Sequence, residues 1–464
     1  MSFSVDEYAW PAYLGRKPFE HQRYTVRFVL QHKRCFVLND MGTGKTLSAL
    51  WALDILFAAS KIRRALVISP LSTMRSVWAK EISMNVPHLR YAIAHGSRQQ
   101  RIDAIRNPVN KIIIINHDGI KSVEDEIVRD APDVIVIDEV TAFKSNSDRT
   151  KCMLRIAKGV RGVWAMTGDL TPNSPLEAFY PIKIVNPSSR WFQLTPYFGQ
   201  FRDACMVQVN EIYWVPKPEA PQIVLMCAQP AVRFTRDQCL DLPETTTQEL
   251  EVPMSAEQVK FYDVMKKQAF LATDSGEITA VNAAVVLNKL LQISAGAVKN
   301  DAGDVVEIGC KERLDALFEL YEETPQHKLV VFATYRATIA MLEREFAKRG
   351  VRCAAIHGDV AHNLRASHIE RFQSGDLQVL VLQPQSSAHG ITLTASSTIV
   401  WFSLIASNEL FTQGNARIVR VGQERKTFVY MFVGSKAERH IAGILQRKGE
   451  MSRETLELFK TRDL

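Results

Sequence analysis

A glycine-rich segment, NDMGTGKT at residues 39–46, follows a short apolar run and opens a helical pattern. Glycines let backbone N–H groups converge on a phosphate, and the following helix adds the positive end of its dipole. We expect Lys45 to reach the β- and γ-phosphates of ATP, and the Thr46 hydroxyl to bind Mg²⁺. The strict pattern has glycine where this chain has Asn39, and Gly42 partly compensates. The expected cofactor-binding residues of this phosphate loop are Met41, Gly42, Thr43, Gly44, Lys45 and Thr46.

Two adjacent carboxylates, Asp138 and Glu139, stand at the end of the apolar run VIVI at residues 134–137. Open parallel sheets bind their ligands at the carboxyl ends of the strands. Phosphoryl transfer needs one carboxylate to hold Mg²⁺ and a second to polarise the attacking water. Neighbouring positions at a strand end can supply both, so we predict Asp138 as a metal ligand and Glu139 as the catalytic base.

The segment QGNARIVRVGQ at residues 413–423 carries Arg417 and Arg420, three positions apart. Such spacing places two side chains on one face of a helix. An arginine finger raises the rate of phosphoryl transfer by about three to five orders of magnitude in enzymes that use one. On its own the pattern is also common on solvated helices. Beside a phosphate loop and an acidic pair it predicts two catalytic arginines, supplied across a cleft between two lobes.

The strands that position these residues are short runs of Val and Ile without alternation, which indicates parallel sheets covered by helices on both faces. The runs fall before about residue 180 and after about residue 325, and they are ALVIS (65–69), KIIIIN (111–116), VIVID (134–138), LVVFA (329–333), QVLVL (378–382) and TIVWF (398–402). Between them lies a stretch rich in proline and aromatic residues, followed by a helical stretch from about 256 to 291. The fold class is therefore α/β, with two tandem RecA-like (P-loop NTPase) lobes and helical insertions.

The predicted boundaries follow from these groups of strands. An N-terminal ATP-binding lobe occupies residues 1–235, with an insertion at about 180–235, and a C-terminal lobe occupies residues 236–464, with a helical insertion at about 255–300. A length of 464 residues suits two or three domains of about 150 residues each.

The composition, 46% apolar and 23% charged, is typical of soluble globular proteins. The N-terminus MSFSVDEYAW does not resemble a signal peptide, and no apolar run is long enough to span a bilayer. The seven cysteines form no Cys-x-x-Cys pair, which argues against a zinc site and a disulfide framework. We expect buried, reduced cysteines in a cytosolic protein. The net charge of +7 fits a polyanionic partner but does not identify one.

The ordered motifs resemble the Swi/Snf family of helicase-like DNA translocases in helicase superfamily two, and most closely its short bacteriophage and prophage members. The matching blocks run over nearly the whole chain, and they are PFEHQ (18–22), MGTGKT (41–46), ALVISPLSTMRSVWAKEI (65–82), IIIINHDGI (112–120), VIVIDE (134–139), TGDLTPNSPLEAF (167–179), VVFATY (330–335), IHGDV (356–360), VLVLQPQSSAHGITL (379–393) and QGNARIVRVGQ (413–423).

The resemblance implies a role for each matching position. Gln22 would read the adenine edge of ATP, Thr167 and Gly168 would couple hydrolysis to lobe movement, and Arg417 and Arg420 would be finger residues. The nucleic-acid backbone would be met by Ser69, Pro70, Asn116, His117, Ser387, His389 and Gly390. The implied cofactors are ATP and Mg²⁺. The implied partner is duplex or branched DNA bound largely without sequence preference, by a monomer in the cytosol of a bacterium or phage-infected host cell.

The chain departs from the family pattern at two places. Thr141 stands where the family commonly has histidine, and Asp169-Leu170 stand where it has Thr-Pro. Both positions belong to the coupling machinery rather than to nucleotide binding. We expect the added carboxylate of Asp169 to lie near Mg²⁺ and the acidic pair, where it would weaken coupling or alter metal binding.

Contacts with nucleic acid are the least specified part of the sequence. A predicted helix at about 148–161 places Lys151, Arg155 and Lys158 on a face that could contact phosphates or simply be solvated. Without a recognisable sequence-reading module, binding should be dominated by phosphates.

The function predicted is an ATP-dependent translocase or remodeller of double-stranded DNA in replication, repair or recombination. The alternatives are a strand-separating DNA or RNA helicase, and a nucleotide-regulated DNA-binding protein with an impaired motor.

Overall fold

The computed structural model of the chain describes residues 8–10, 17–210, 214–239, 243–274, 280–299, 304–387, 391–420 and 422–459. The chain divides into two compact units, one formed by Met1–Asp241 together with Lys448–Leu464 and the other by Leu242–Arg447. The last residues, which were predicted to belong to the second lobe, are grouped with the first unit.

The first unit is built on a parallel sheet of seven strands in the order β3-β4-β2-β5-β6-β1-β9. Its strands are β1 (Arg34–Val37), β2 (Ala65–Ser69), β3 (Tyr91–Ala94), β4 (Ile112–Asn116), β5 (Val134–Asp138), β6 (Gly162–Met166) and β9 (Ala231–Val232). A separate antiparallel pair consists of β7 (Met206–Gln208) and β8 (Trp214–Pro216).

The helices of the first unit are α1 (Glu20–Gln31), α2 (Lys45–Ala58), α3 (Lys80–Asn85), α4 (Arg98–Arg106), α5 (Glu124–Arg129), α6 (Asp148–Lys158), α7 (Phe179–Val185), α8 (Phe198–Cys205), α9 (Ala220–Ala228) and α10 (Arg236–Cys239). A π-helical segment covers Met74–Ala79, and short 3-10 helices cover Gly119–Val123, Val140–Phe143, Pro175–Ala178 and Phe192–Leu194.

The second unit contains a parallel sheet of six strands in the order β10-β17-β16-β13-β15-β14. Its strands are β10 (Thr245–Glu251), β13 (Leu329–Phe332), β14 (Cys353–Ile356), β15 (Val379–Leu382), β16 (Thr398–Trp401) and β17 (Thr427–Val433), and a small antiparallel pair is formed by β11 (Ala297–Lys299) and β12 (Val305–Glu307). Its helices are α11 (Ala256–Asp274), α12 (Ala280–Ser294), α13 (Lys311–Glu323), α14 (Arg336–Lys348), α15 (His362–Ser374), α16 (Pro384–Ser387) and α17 (Asn408–Asn415), with a 3-10 turn at Pro325–His327. The last helix, α18 (Lys436–Phe459), begins in the second unit, and its residues from Lys448 onward belong to the first.

Each sheet buries both of its faces. Along β1, Phe36 belongs to one apolar cluster and Cys35 and Val37 belong to another, because successive side chains of a strand point to opposite faces. The same alternation divides Val330 and Val331 of β13 between two clusters in the second unit. Uninterrupted Val and Ile runs arise from this double burial, so the predicted fold class of two α/β lobes with parallel sheets is confirmed.

The predicted helix at 148–161 corresponds to α6, which buries Cys152, Met153 and Ile156. All seven cysteines are free thiols, and five of them are buried. Among the described residues, no helix is both long enough and apolar enough to cross a membrane.

Candidate nucleotide site

The phosphate loop joins the end of β1 to the start of α2, at the carboxyl edge of the first sheet. Gly44 caps α2 with a left-handed backbone at φ +79°, and Gly42 is also left-handed at φ +87°. A Cβ atom at Gly44 would collide with the side-chain amide of Gln22. Glycine is required here both because other residues rarely adopt this φ and because Gln22 fills the space. The structure thus brings Gln22, implied to read adenine, onto the loop itself.

The loop is also held from α1 by two side chains. His21 Nε2 donates to the carbonyl oxygen of Thr43 at 2.8 Å, and Gln22 Nε2 lies 3.4 Å from the same oxygen. The Thr43 hydroxyl in turn donates to the carbonyl of Asp40 at 2.8 Å. These bonds hold the backbone of the loop in place.

The departure from the strict loop pattern at Asn39 has a structural reason. Its side-chain Nδ2 donates to Thr25 Oγ1 at 3.0 Å, and its Oδ1 accepts from the backbone N–H of Phe234 at 3.0 Å. Asn39 is buried and links α1 to the segment that follows β9. A glycine at this position would leave those two buried groups without this partner.

Lys45 is the first residue of α2, and its side chain reaches back to the start of the phosphate loop. Its Nζ donates to the carbonyl oxygens of Asn39 at 2.7 Å and Asp40 at 3.1 Å. Burial lowers the pKa of Lys45. Three carboxylates oppose that shift, and in order of decreasing effect they belong to Glu139, Asp138 and Asp40. The structure therefore brings the predicted phosphate-binding lysine close to the predicted acidic pair.

The acidic pair ends β5. Asp138 pairs in register with Met166 of β6, and its carboxylate accepts from Trp78 Nε1 at 2.9 Å. Glu139 follows with a left-handed backbone at φ +52°, which turns the chain sharply into the next 3-10 helix. Non-glycine residues with this φ are uncommon and concentrate at functional sites.

The coupling loop, residues 167–171, follows β6 and contacts the phosphate loop. The Thr167 N–H donates to the carbonyl of Val37 at 3.2 Å, and the Thr167 hydroxyl donates to the carbonyl of Asp169 at 2.9 Å. A Cβ at Gly168 would lie 3.4 Å from Cγ of Met41. Gly168 is thus packed against the loop that is predicted to hold phosphate, and Thr167 is bonded to the end of β1, from which that loop starts.

The Asp169 carboxylate is bound by the coupling loop and by α18. Its Oδ1 accepts from the Thr171 N–H at 2.8 Å, and its Oδ2 accepts from the hydroxyl of Ser452 near the end of α18. Burial raises the pKa of Asp169 to about 6. Both oxygens of this carboxylate have partners in the coupling loop and in α18, and its proximity to Mg²⁺ and the acidic pair stays a prediction.

Arg233 is a site residue that the sequence analysis missed. Its side chain is buried, donates to Leu38 O and Gly168 O, and pairs with Asp40. A sequence signal was present, because a lone arginine inside the apolar run AVRF (231–234) implies a buried charge with partners.

The two arginines predicted as fingers belong to the second unit. Helix α17 ends at Asn415, so Arg417 and Arg420 lie in the turns beyond it rather than on one helical face, and that part of the prediction is wrong. Beyond α17 the N–H of Arg417 donates to the carbonyl of Gly414 at 3.1 Å, and the carbonyl of Arg417 accepts from the N–H of Leu393 at 2.9 Å. Arg417 is buried, and Arg420 Nη1 donates to Ile391 O at 2.7 Å and to Thr392 Oγ1 at 3.0 Å.

Comparison with known proteins decides the family. The SNF2-related domain matches residues 21–299, which is more than half of the chain, and the Helicase conserved C-terminal domain matches residues 312–422. The chain belongs to the SNF2-related family. The resemblance seen in its motifs is thereby confirmed, and so is its assignment as an SNF2 helicase-family ATPase.

Several known proteins are similar to this chain. Putative protein p41 of Acyrthosiphon pisum secondary endosymbiont phage 1 is 25% identical, over 90% of this chain and 92% of its own length. An uncharacterized ATP-dependent helicase of Mycoplasma genitalium is 23% identical, over 90% of this chain and 40% of its own length. The human DNA annealing helicase and endonuclease ZRANB3 is 24% identical, over 96% of this chain and 41% of its own length. The chain therefore spans nearly all of the phage protein but about two fifths of the other two.

A solved structure also covers most of this SNF2-related chain. The Sulfolobus solfataricus SWI2/SNF2 ATPase core in complex with dsDNA is 19% identical, with a TM-score of 0.46, over 98% of this chain and 97% of that chain.

The positions implied to meet nucleic acid are placed unevenly in the SNF2-related chain. Ser69 and Pro70 are buried, and Asn116 Oδ1 accepts from Arg101 Nη1 at 3.1 Å. His117 is buried too, and its Nε2 donates to the carbonyl of Asp138 at 2.8 Å, which links the end of β4 to the acidic pair. Ser387 ends α16, while His389 and Gly390 lie outside the described residues. Their role stays a prediction.

The basic face of α6 is partly occupied by ion pairs. Both terminal oxygens of Glu124 accept from Arg155, whose Nη2 lies 2.7 Å from Glu124 Oε2. Lys151 lies 3.6 Å from Asp148. These exposed pairs reduce the net positive charge that this helix offers to phosphates, so α6 has weak support as a DNA-binding face.

Proposed function

We propose that this protein is an ATP-driven translocase on double-stranded DNA that remodels intermediates of replication, repair or recombination. One observation supports it most strongly. The phosphate loop, the acidic pair and the coupling loop meet at the carboxyl edge of one parallel sheet, in a chain that also matches the Helicase conserved C-terminal domain. The coupling loop can therefore respond to the bound nucleotide, and its role implied by the family is to couple hydrolysis to movement of the lobes.

The chemistry assigned to the first lobe is phosphoryl transfer to water. Lys45 would exchange its two carbonyl partners for the β- and γ-phosphates, and Glu139 would polarise the attacking water. Carboxylate and hydroxyl oxygens are the ligands that Mg²⁺ prefers, and the carboxylates that act on the pKa of Lys45 show that negative charge gathers there. Thr46 and Asp138 would hold the ion, which neutralises charge on the phosphates. Arg417 and Arg420 would be supplied by the second lobe.

Duplex DNA is the partner that the relatives and the charge favour. One relative is named a DNA annealing helicase, and this chain carries a net charge of +7. Binding through phosphates makes affinity fall steeply with salt and depend little on sequence. We further propose that the protein acts as a monomer in the cytosol of a bacterium or phage-infected host cell.

An ATPase assay tests this proposal against its alternatives. Turnover is measured alone and with duplex DNA, single-stranded DNA or RNA, and the Glu139→Gln variant serves as the control for contaminating activity. We expect duplex DNA to stimulate most. Preferential stimulation by single strands or RNA would favour a strand-separating helicase. Nucleotide-dependent DNA binding without any turnover would favour a DNA-binding protein with an impaired motor.

Movement along the duplex needs a separate measurement. A third strand bound in the major groove of a duplex is displaced by a protein that tracks the duplex, while the two strands of the duplex stay paired. We expect ATP-dependent displacement of the third strand with no separation of a forked duplex. Separation of the fork without displacement of a third strand would overturn the translocase proposal.

A further inference from the structure

We propose that Arg233 is a positioning residue that ties the phosphate loop to the coupling loop, so that a change at one is transmitted to the other; this inference rests on the ATP hydrolysis proposed above. Arg233 follows β9, far in sequence from both loops. No matched motif in the sequence analysis includes it.

The guanidinium of Arg233 contacts three separate points of the first lobe. Nη1 donates to Leu38 O at 2.7 Å and to Gly168 O at 3.2 Å, and Nη2 lies 3.0 Å from Asp40 Oδ1. Its side chain is only 7% exposed. A planar guanidinium with five N–H donors can hold acceptors in fixed directions, which the single ammonium of a lysine cannot reproduce.

Arg233 joins groups of the phosphate loop and the coupling loop, which we expect to shift when a nucleotide binds. Leu38 and Asp40 flank the entry to the phosphate loop, and the carbonyl of Asp40 accepts from Lys45 Nζ. Gly168 lies in the coupling loop and packs on Met41. When phosphate draws Lys45 away from the Asp40 carbonyl, the shift in residue 40 reaches Gly168 through one rigid side chain.

The position of Arg233 is itself fixed by the backbone. Carbonyls of Pro230, Val232 and Phe234 accept from N–H groups of Phe36, Leu38 and Asp40, so this segment runs beside β1 and continues along the phosphate loop. The other oxygen of the Asp40 carboxylate accepts from the Arg236 N–H at 3.0 Å. The backbone of Arg233 is thereby held beside β1, while its side-chain partners belong to loops. This arrangement suits a residue that transmits a shift of one loop to the other.

A buried ion pair also affects folding, so stability must be separated from coupling. Removing one partner of such a pair is strongly destabilising, whereas its net contribution to stability is small. Arg34 offers a control, because it is partly buried and, like Arg233, donates to backbone carbonyls, at Val185 O, Ile184 O, Val160 O and Ala157 O. It begins β1, at the opposite end from the phosphate loop.

The experiment compares Arg233→Lys with Arg34→Lys in the full chain, by melting temperature, ATP KM and kcat with and without duplex DNA. We expect Arg233→Lys to lower duplex-stimulated kcat by about ten- to a hundredfold with little change in KM, since it misplaces rather than removes the site. Arg34→Lys should lower the melting temperature similarly and retain kcat. A second variant, Asp40→Asn, should act in the same direction, and combining it with Arg233→Lys should add little, because both remove one interaction.

Each result decides the proposal. Wild-type kcat in Arg233→Lys, or an equal loss of kcat in Arg34→Lys at the same melting temperature, would overturn it. If Arg233→Lys does not fold, Asp40→Asn gives the decision by the same comparison of kcat with KM. If duplex DNA fails to stimulate the wild type, the translocase proposal fails, and the role of Arg233 is then decided on basal turnover.

Discussion

Gly44 shows how one residue can decide whether the nucleotide site forms. Its backbone has φ +79°, and the amide of Gln22 occupies the space that a side chain would need. Each feature makes a side chain costly at this position. A residue with a Cβ would have to adopt a strained φ and would also have to displace Gln22.

We predict that Gly44→Ala weakens ATP binding by about tenfold or more. The added Cβ would shift the phosphate loop or Gln22, and a displacement of about 1 Å in a binding site is costly. Titration with a fluorescent ATP analogue measures the affinity. Gly159→Ala is the matched control, since a Cβ there would meet open space and the φ of −90° suits any residue. Equal affinity of Gly44→Ala and the wild type would show that the loop does not bind phosphate in this conformation.

Glu139 provides the second test at this scale. Glu139→Gln keeps the shape of the side chain and the neighbouring Lys45, so we predict normal ATP binding and a fall in turnover of about 10²- to 10⁴-fold through loss of the base. Lys45→Ala should instead lose binding or turnover, since it removes the cation. Glu124→Gln, a change in a surface ion pair with Arg155, serves as the control. Turnover at the wild-type rate in Glu139→Gln would assign the base to another residue.

The residues that the sequence could identify are those that chemistry constrains locally. The loop glycines, Lys45 and the acidic pair have fixed spacing along a strand and helix, so a motif finds them. Arg233 and the partners of Asn39 come from distant segments, and only the folded sheet shows that the stretch after β9 lies beside β1. The partner of Asp169 in α18 could not be predicted for the same reason, because Ser452 is 283 positions away in the chain.

The end of α18 is the element that holds the coupling loop of the first unit. The Ser452 hydroxyl donates to Asp169 Oδ2, and Lys448 Nζ lies 3.4 Å from Asn173 Oδ1. Phe459 is buried in the apolar cluster of the same unit. The family position that normally carries Thr-Pro is thus used in this chain to anchor a C-terminal segment.

This anchoring predicts a pH-dependent stability. Burial raises the pKa of Asp169 to about 6, while Ser452, Thr171 and Arg233 oppose the shift and Glu177 adds to it. The folded state then holds this proton more tightly than the unfolded state, so ionising Asp169 costs stability. This loss of stability is absent at pH values well below 3.8, the ordinary carboxyl pKa. It grows as the pH rises from there to about 6, and it is complete at higher pH.

We predict that Asp169→Asn raises the melting temperature at pH 7.5 and that this gain shrinks as the pH falls below about 6, where Asp169 is protonated in the wild type. Thermal melts of both proteins across this range provide the measurement. Ser452→Ala should do the opposite at pH 7.5, because it removes a donor from the ionised carboxylate. A gain from Asp169→Asn that is independent of pH would contradict the assigned titration.

At the same scale, strands were easier to predict than helix ends. The runs of Val and Ile identified β2, β4, β5, β13, β15 and β16 within a residue or so, because burial on both faces leaves a continuous apolar signal. The end of α17 gave no such signal. Beyond Asn415 the chain turns, and the carbonyl of Arg417 accepts from Leu393 in another segment, so the two arginines could not be placed from their spacing alone.

At the scale of the whole molecule, hydrolysis should depend on residues of both units. Lys45, Asp138 and Glu139 belong to the first unit and Arg420 to the second. An arginine supplied by a second lobe stabilises charge in the transition state and is not needed to bind ATP. Arg420 also supports its own lobe through Ile391 and Thr392, so its catalytic and structural effects must be distinguished.

We predict that Arg420→Ala binds ATP like the wild type and loses duplex-stimulated hydrolysis by about three orders of magnitude or more, as expected for an arginine finger. Thr392→Val is the matched control, because it removes one acceptor of Arg420 while leaving the guanidinium in place. It should keep most of the activity, and Arg344→Ala, a change in an exposed ion pair of the same unit, should keep all of it. ATP affinity and turnover are measured on the same preparations.

A loss in Thr392→Val as large as that in Arg420→Ala would mean that Arg420 acts by shaping the loop at residues 391–392. Turnover of Arg420→Ala within a few-fold of the wild type would remove it from catalysis altogether.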